Sequence, residues 1–193
     1  MGDTIPGLDI PRRLIVAEIG TRQAANVSAD ASTHSLQVLS YEHHEIHAGS
    51  HFNYCDYALN QATDVVIDHV ITTPNTDKLV HLVFSAKSTQ GATLEIYEGA
   101  TGISGGDAIT PRNNNRSSSN ASIVTLLQNP TITNDGTRAA GFVLGDRGQV
   151  GIADRDQEYV LAKNTSYLAR ITSLANSNNI GWCAEWYEHT DKD

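Results

Sequence analysis

The chain is 193 residues long and carries 13 Lys and Arg against 22 Asp and Glu, a formal net charge of −9. That length fits one sizeable domain, or a domain with an arm. The acidic balance argues against a nucleic-acid groove, which needs clustered Lys and Arg to neutralise phosphates. No window approaches the roughly 20 apolar residues of a bilayer span.

Charged residues make up 18% of the chain, below the usual quarter, while Asn, Ser, Thr and Gly are plentiful. Such a surface is neutral-polar and suits β structure and protein contacts. Two cysteines, Cys55 and Cys183, are too few for a disulfide scaffold. They are expected as buried thiols of a protein made in a reducing cytoplasm, facing each other only if the first and last strands are neighbours. Met1 to Gly20 has no basic run followed by an apolar core, so no secretion signal is expected there. Asn26, Asn120 and Asn164 therefore carry no weight as glycosylation sites.

Residues 1–35 read as an N-terminal extended arm or linker. Pro6, Gly7 and Pro11 break its start, Arg12 to Ile19 fits one strand or a short helix, and Thr21 to His34 has no apolar face to bury. Residues 36–193 read as the β domain. It opens on the densest chemistry in the chain, Tyr41-Glu-His-His-Glu-Ile-His-Ala-Gly-Ser-His-Phe-Asn-Tyr-Cys-Asp-Tyr57. Period-two alternation makes this a hairpin, with Tyr41, His43, Glu45 and His47 on one strand face and a turn at Ala48-Gly49-Ser50. A helix is the weaker alternative: His43, His47 and His51 are spaced by four, but Gly49-Ser50 interrupts them.

Short β-prone runs then follow at intervals. They are Thr63–Ile71, Lys78–Ala86, Thr93–Glu98, Ser122–Leu127, Ala139–Leu144, Gln149–Ile152, Glu158–Leu161, Ser166–Ser173 and Ile180–Glu188. The region Ala100–Ser119 is a loop of a length that compact domains tolerate only when it is functional or packed on a neighbour. The pattern predicts an all-β protein, an antiparallel β-sandwich or jelly-roll-like barrel, with no strongly amphipathic helix beyond residue 35.

Several chemical motifs can be weighed against that frame. His43, Glu45, His47 and His51 are good donors for zinc, iron or nickel. On a strand, however, His43 and His47 stand about 13 Å apart, and His44 and His47 point to opposite faces, so no metal ligands are assigned. Gly102-Ile-Ser-Gly-Gly106 matches a nucleophile elbow in letters, but no helix-forming residues follow. Asp154-Arg-Asp-Gln-Glu158 lacks the glycine and glutamate of a calcium loop. Arg112 and Arg116 are too few for a nucleic-acid footprint. No catalytic, cofactor-binding or metal residue is assigned, and no cofactor is expected.

The segment Tyr41-Glu-His-His-Glu-Ile-His-Ala-Gly-Ser-His-Phe52 resembles the opening of a group of tailed-bacteriophage virion proteins described as head decoration, minor capsid or fibre-type structural proteins. Tyr97-Glu-Gly99, the Asn-Asn-Asn-Arg-Ser-Ser run at 113–118, Leu161–Ile171 and Trp186-Tyr-Glu-His189 are similar to the same group. The resemblance covers most of residues 36–193. It implies a non-enzymatic β-rich virion component, a homotrimer whose partners are the major capsid protein or other virion proteins, assembled in the host cytoplasm, with no nucleic acid or membrane contact. A capsid decoration protein is the expected role. A host-surface or glycan-binding head is the alternative, and a metal-dependent cupin-like enzyme the second.

Overall fold

A computed structural model describes residues 14–17, 24–27, 41–145, 149–151 and 158–190. The chain divides into Met1–Tyr41 and Glu42–Asp193. In the first unit, β1 (Leu14–Ala17) and β2 (Ala24–Val27) pair antiparallel, Leu14 opposite Val27. The run from Thr21 that offered no apolar face thus supplies a strand at Ala24–Val27, held by backbone pairing.

The second unit begins with a correction to the hairpin. Tyr41–Ala48 is an α-helix, α1, and only His51–Gln61 is a strand, β3. Gly49 takes a φ of +73°. Its N–H donates to Ile46 O at 3.1 Å, and Ser50 N–H donates to Glu45 O at 2.9 Å. That pair of bonds is the Schellman termination of a helix, with glycine at the left-handed C′ position. The glycine read as a hairpin turn is a helix stop. A Cβ at Gly49 would also run into Ser118.

Eleven more strands follow: β4 (Val66–Thr72), β5 (Lys78–Ser88), β6 (Ala92–Glu98), β7 (Asp107–Ile109), β8 (Arg112–Asn113), β9 (Thr125–Gln128), β10 (Thr137–Leu144), β11 (Gln149–Gly151), β12 (Tyr159–Leu161), β13 (Ser166–Ser173) and β14 (Asn178–Thr190). One sheet runs β11-β5-β14-β3-β8, with β12 also on β5; the other runs β10-β6-β13-β4-β9-β7. The named pairings are antiparallel throughout. With β11 and β12 taken as one broken strand, and the short strands β7 to β9 set aside, eight strands remain. The first, eighth, third and sixth form one sheet, and the second, seventh, fourth and fifth the other. This is the strand order of a jelly roll, and the sandwich class expected from the alternation is the one observed.

The core lies between the sheets. Alternate residues of β14 (Ile180, Trp182, Ala184, Trp186) and β5 (Val80, Leu82, Phe84, Ala86) meet Ile67 and Ile71 of β4, Leu94 and Ile96 of β6 and Ile171 of β13. The segment 99–136 is not an open loop. It is tied back by bridges Thr101↔Asn134 and Ser104↔Thr131 and lays Ala100, Ile103 and Ile132 over Val70 and Leu168, on the outer side of the second sheet. Arg170 fixes its end with two forks, to Asp68 at 2.8 and 3.0 Å and to Asp135 at 2.6 and 3.0 Å. These carboxylates raise the Arg170 pKa further above its already high value. Gly136, at φ +89°, passes so close to Glu98 and Gly99 that any side chain would collide with their backbone. At one end of the sandwich the fully buried Asn178 accepts from the Ser88 hydroxyl and Gln90 N–H and donates to Gly91 O.

The cysteines also require correction. β3 and β14 are neighbours with Cys55 directly opposite Cys183. The two form a disulfide with a Cα–Cα distance of 4.1 Å, on the outward face, where Cys55 is exposed. Alternation puts both sulfurs on the face opposite Trp182 and Ala184, which is why they are not core thiols. The bond closes a sequence separation of 128 residues, so replacing both cysteines by Ala should lower unfolding stability by roughly 2–5 kcal/mol, measured by denaturant titration with and without reductant.

His69 is the one fully buried histidine of the inner face of β4, packed on Trp182 at 4.8 Å and near Phe84 and Tyr54. Neither of its nitrogens has a hydrogen-bond partner. Burial pushes its pKa down to about 4, with the negative charge of Asp56 offsetting only part of this. The unfolded chain takes up the proton near pH 6.5 and the native one only near 4, so the stabilisation is complete above pH 6.5 and is lost as pH falls toward 4. The change should amount to about 3 kcal/mol. Chemical denaturation across pH 4–7 should show that slope in the native chain and a flattened one in His69→Leu.

Candidate functional site

The histidine-rich segment forms a helix, a cap and the start of a strand, and the Asn/Ser run stitches these together. Asn113 Nδ2 donates to Gly49 O at 2.9 Å, and Asn115 Nδ2 to His47 O at 3.1 Å. Asn120 Nδ2 donates to Gly49 O at 3.2 Å. Asn114 contacts the ring of the buried His51 at 2.6 Å and also the Asn53 amide. These amides meet the carbonyls that a helix end leaves unpaired. The Asn/Ser run therefore bonds within its own chain.

The helix changes the geometry of the candidate ligands. His43 and His47, placed about 13 Å apart by the strand reading, stand one helical turn apart with their Nε2 atoms 3.0 Å from each other. His51 opens β3 with its ring against Asn114, and Glu45 is buried beside His44.

β14 carries the second half of the region. Glu188, 2% exposed, accepts hydrogen bonds from the Ser122 hydroxyl, from Ile123 N–H at 3.0 Å and from Trp186 Nε1–H at 3.1 Å. Its own N–H donates to Ser50 O. A buried carboxylate with this many donors is stable in place, and it anchors the approach to β9 against the end of β14.

The outward row of the first sheet at this end is His51, Tyr187 and His81, since Tyr187 is opposite both His51 and His81 in register. His81 and Tyr187 stack with centroids 4.5 Å apart. His81 Nδ1 lies 2.8 Å from Glu158 Oε1, to which Tyr187 donates at 3.0 Å. His189 Nε2 meets His81 Nε2 at 2.8 Å. Residues from 81, 158, 187 and 189 thus form one cluster that motif reading passed over. A period-two alternation at His81 and at Tyr187 and His189 was visible, but the pairing of β5 with β14 was not.

The remaining motifs sit as follows. Gly102–Gly106 leads into strand β7 rather than the helix a nucleophile elbow requires, and Ser104 is in a bridge to Thr131. Of Asp154–Glu158, positions 154–157 lie outside the described residues. Rings of Tyr54, Phe84 and Trp182 pack around His69. A cleft of about 430 Å³ between β3 and β7 is lined by Asn53, Tyr54, Ile109, Thr110 and Arg112, among others. The Tyr54 hydroxyl donates to Asp56 or Gln128 at 3.0 Å. Burial and the Asp56 charge raise the Tyr54 pKa well above the ordinary phenol value.

Compared with known proteins, the chain matches no family model, no curated protein and no solved structure.

Removing the carboxylate at 188 would leave the Ile123 and Trp186 N–H groups without their acceptor. Glu188→Ala should cost about 3 kcal/mol of unfolding stability, while Glu188→Gln, which retains one acceptor oxygen, should cost less; thermal melts of the two variants compare them directly.

Proposed function

We propose that this chain is a non-enzymatic structural component of a tailed-bacteriophage virion. Its role is that of a decoration protein, binding the outer capsid surface as a homotrimer and stabilising it. The observation that carries this reading is the use made of the histidine-rich segment. The residues on which the virion resemblance rests are bonded to their own chain, through Asn113, Asn115 and Asn120 to the helix end and through Asn114 to His51. They build a firm corner on a jelly roll, an architecture shared by capsid and lectin domains. The fold alone does not define a function; the resemblance supplies the virion assignment.

Tyr57, 66% exposed, and Leu59, 60% exposed, sit two residues apart on the outward side of β3. Apolar side chains so placed suit a contact with another protein. Residues 1–35 serve in this reading as the segment that orders on a neighbour or on the shell.

A glycan-binding head is the second reading, favoured by the cleft at Tyr54, Thr110 and Arg112. The two separate in one set of measurements: light scattering on the purified chain, co-sedimentation with particles, and binding to host-surface polysaccharide. The decoration reading expects a mass three times that of the protomer and repeated density on the capsid exterior by cryo-EM. Polysaccharide binding without particle binding would replace it with the glycan-binding head.

A further inference from the structure

The imidazole pair at the end of the first sheet points beyond that reading. His81 and His189 lie on adjacent strands, β5 and β14, diagonal to each other on the same outward face. Their Nε2 atoms are 2.8 Å apart. An ionised carboxylate can only accept, so in the neutral His81 ring Glu158 at 2.8 Å from Nδ1 places the hydrogen on Nδ1 and leaves the Nε2 lone pair facing His189. Two lone pairs do not face each other at this distance. In the metal-free chain the Nε2 hydrogen of His189 lies between them.

We propose that this position binds one divalent transition-metal ion, zinc, copper or nickel, with His81 Nε2 and His189 Nε2 as its protein ligands and water in the remaining positions. Imidazole suits these ions. Metal–nitrogen bonds of about 2.0–2.1 Å place two cis ligands roughly 3 Å apart or slightly more, so the rings need open by a few tenths of an ångström and turn until both lone pairs meet to one side of the line between them. Glu158 is the positioning residue. It holds the His81 tautomer and ring angle, as carboxylates behind metal-bound histidines do. The Tyr187 hydroxyl in turn donates to Glu158, and its ring stacks on His81. The His81 and Glu158 side chains are 14% and 19% exposed, so the site is partly enclosed and its ligands are held by the sheet.

Two other groupings are weaker. Cys55, Cys183 and Glu185 come within ligand distance, but both sulfurs belong to the disulfide. His43 and His47 have a comparable Nε2 separation of 3.0 Å, but both are exposed on an eight-residue helix, a less enclosed setting than that of His81. They provide the internal comparison.

The test uses the full chain, titrated with zinc chloride by calorimetry and with copper sulfate by electron paramagnetic resonance. One equivalent should bind, with nitrogen hyperfine structure from two imidazoles. His81→Ala and His189→Gln should each weaken binding at least about tenfold, and Glu158→Gln by about tenfold, while the His43→Ala/His47→Ala double variant should bind as the native chain does. Zinc should also raise the melting temperature of the native protein but not of His189→Gln. His189→Gln, near the end of β14, decides the matter if His81→Ala does not fold. Zinc affinity unaltered in His189→Gln, loss of binding only in the helix double variant, or no binding of either ion at millimolar concentration would each overturn the proposal.

Discussion

The structure depends on β14 lying between β3 and β5. This strand pairs over most of its length on both sides, and the register of those pairings decides what every side chain at this end of the domain can touch. As paired, Trp182, Ala184 and Trp186 enter the core while Cys183, Tyr187 and His189 face out. A slip of one residue would exchange the two sets and place a cysteine, a tyrosine and a histidine where the indoles now pack. Burial of those indoles against Phe52, Phe84 and the second sheet therefore specifies the register as well as stabilising the sandwich. The disulfide and the outward tyrosine–histidine row are consequences of it.

Polar side chains close the two ends of the sandwich by the same physical rule. Asn178 at one end and Glu188 at the other are buried, and each is surrounded by partners from different connections. A buried amide or carboxylate is tolerable only when its hydrogen-bonding capacity is met. Meeting it with backbone groups of the turns fixes those turns in turn. The excursion between β6 and β10 is held in a comparable way, by Arg170 between two aspartates and by the small apolar cluster over Val70 and Leu168. An acidic, Asn-rich chain with few lysines and arginines thus keeps its connections ordered through specific polar contacts.

The described histidines divide by environment rather than by sequence cluster. His43 and His47 share a helix face, His51 is sealed beneath Asn114, His69 is enclosed by aromatic rings, and His81 and His189 meet on the outer sheet. The last pair has the Glu158 carboxylate at His81 Nδ1 and the Tyr187 ring stacked on His81. A virion role and a metal at this position rest on different observations: the first on the resemblance carried by residues 41–52 and by shorter segments as far as His189, the second on side-chain geometry at residues 81, 158 and 189.

Local pattern carried much of this protein into view. Alternation of β-branched and polar residues located the strands from Thr63 onward to within a few residues, except the short β7 and β8 inside the segment read as a loop, and the spacing of turns gave the sandwich class, because both signals live within a few residues of chain. The same local reading turned Tyr41–Ala48 into a strand, since its alternation is real but Gly49 and the amides of residues 113–120 cap a helix there. Which strands are neighbours, that Cys55 faces Cys183, and that His81, Glu158 and His189 converge were decided only by tertiary structure. The disulfide joins residues 128 positions apart and the His81–His189 contact residues 108 apart. Their choice follows from how both sheets bury their apolar faces together, an energy that no short window of sequence contains.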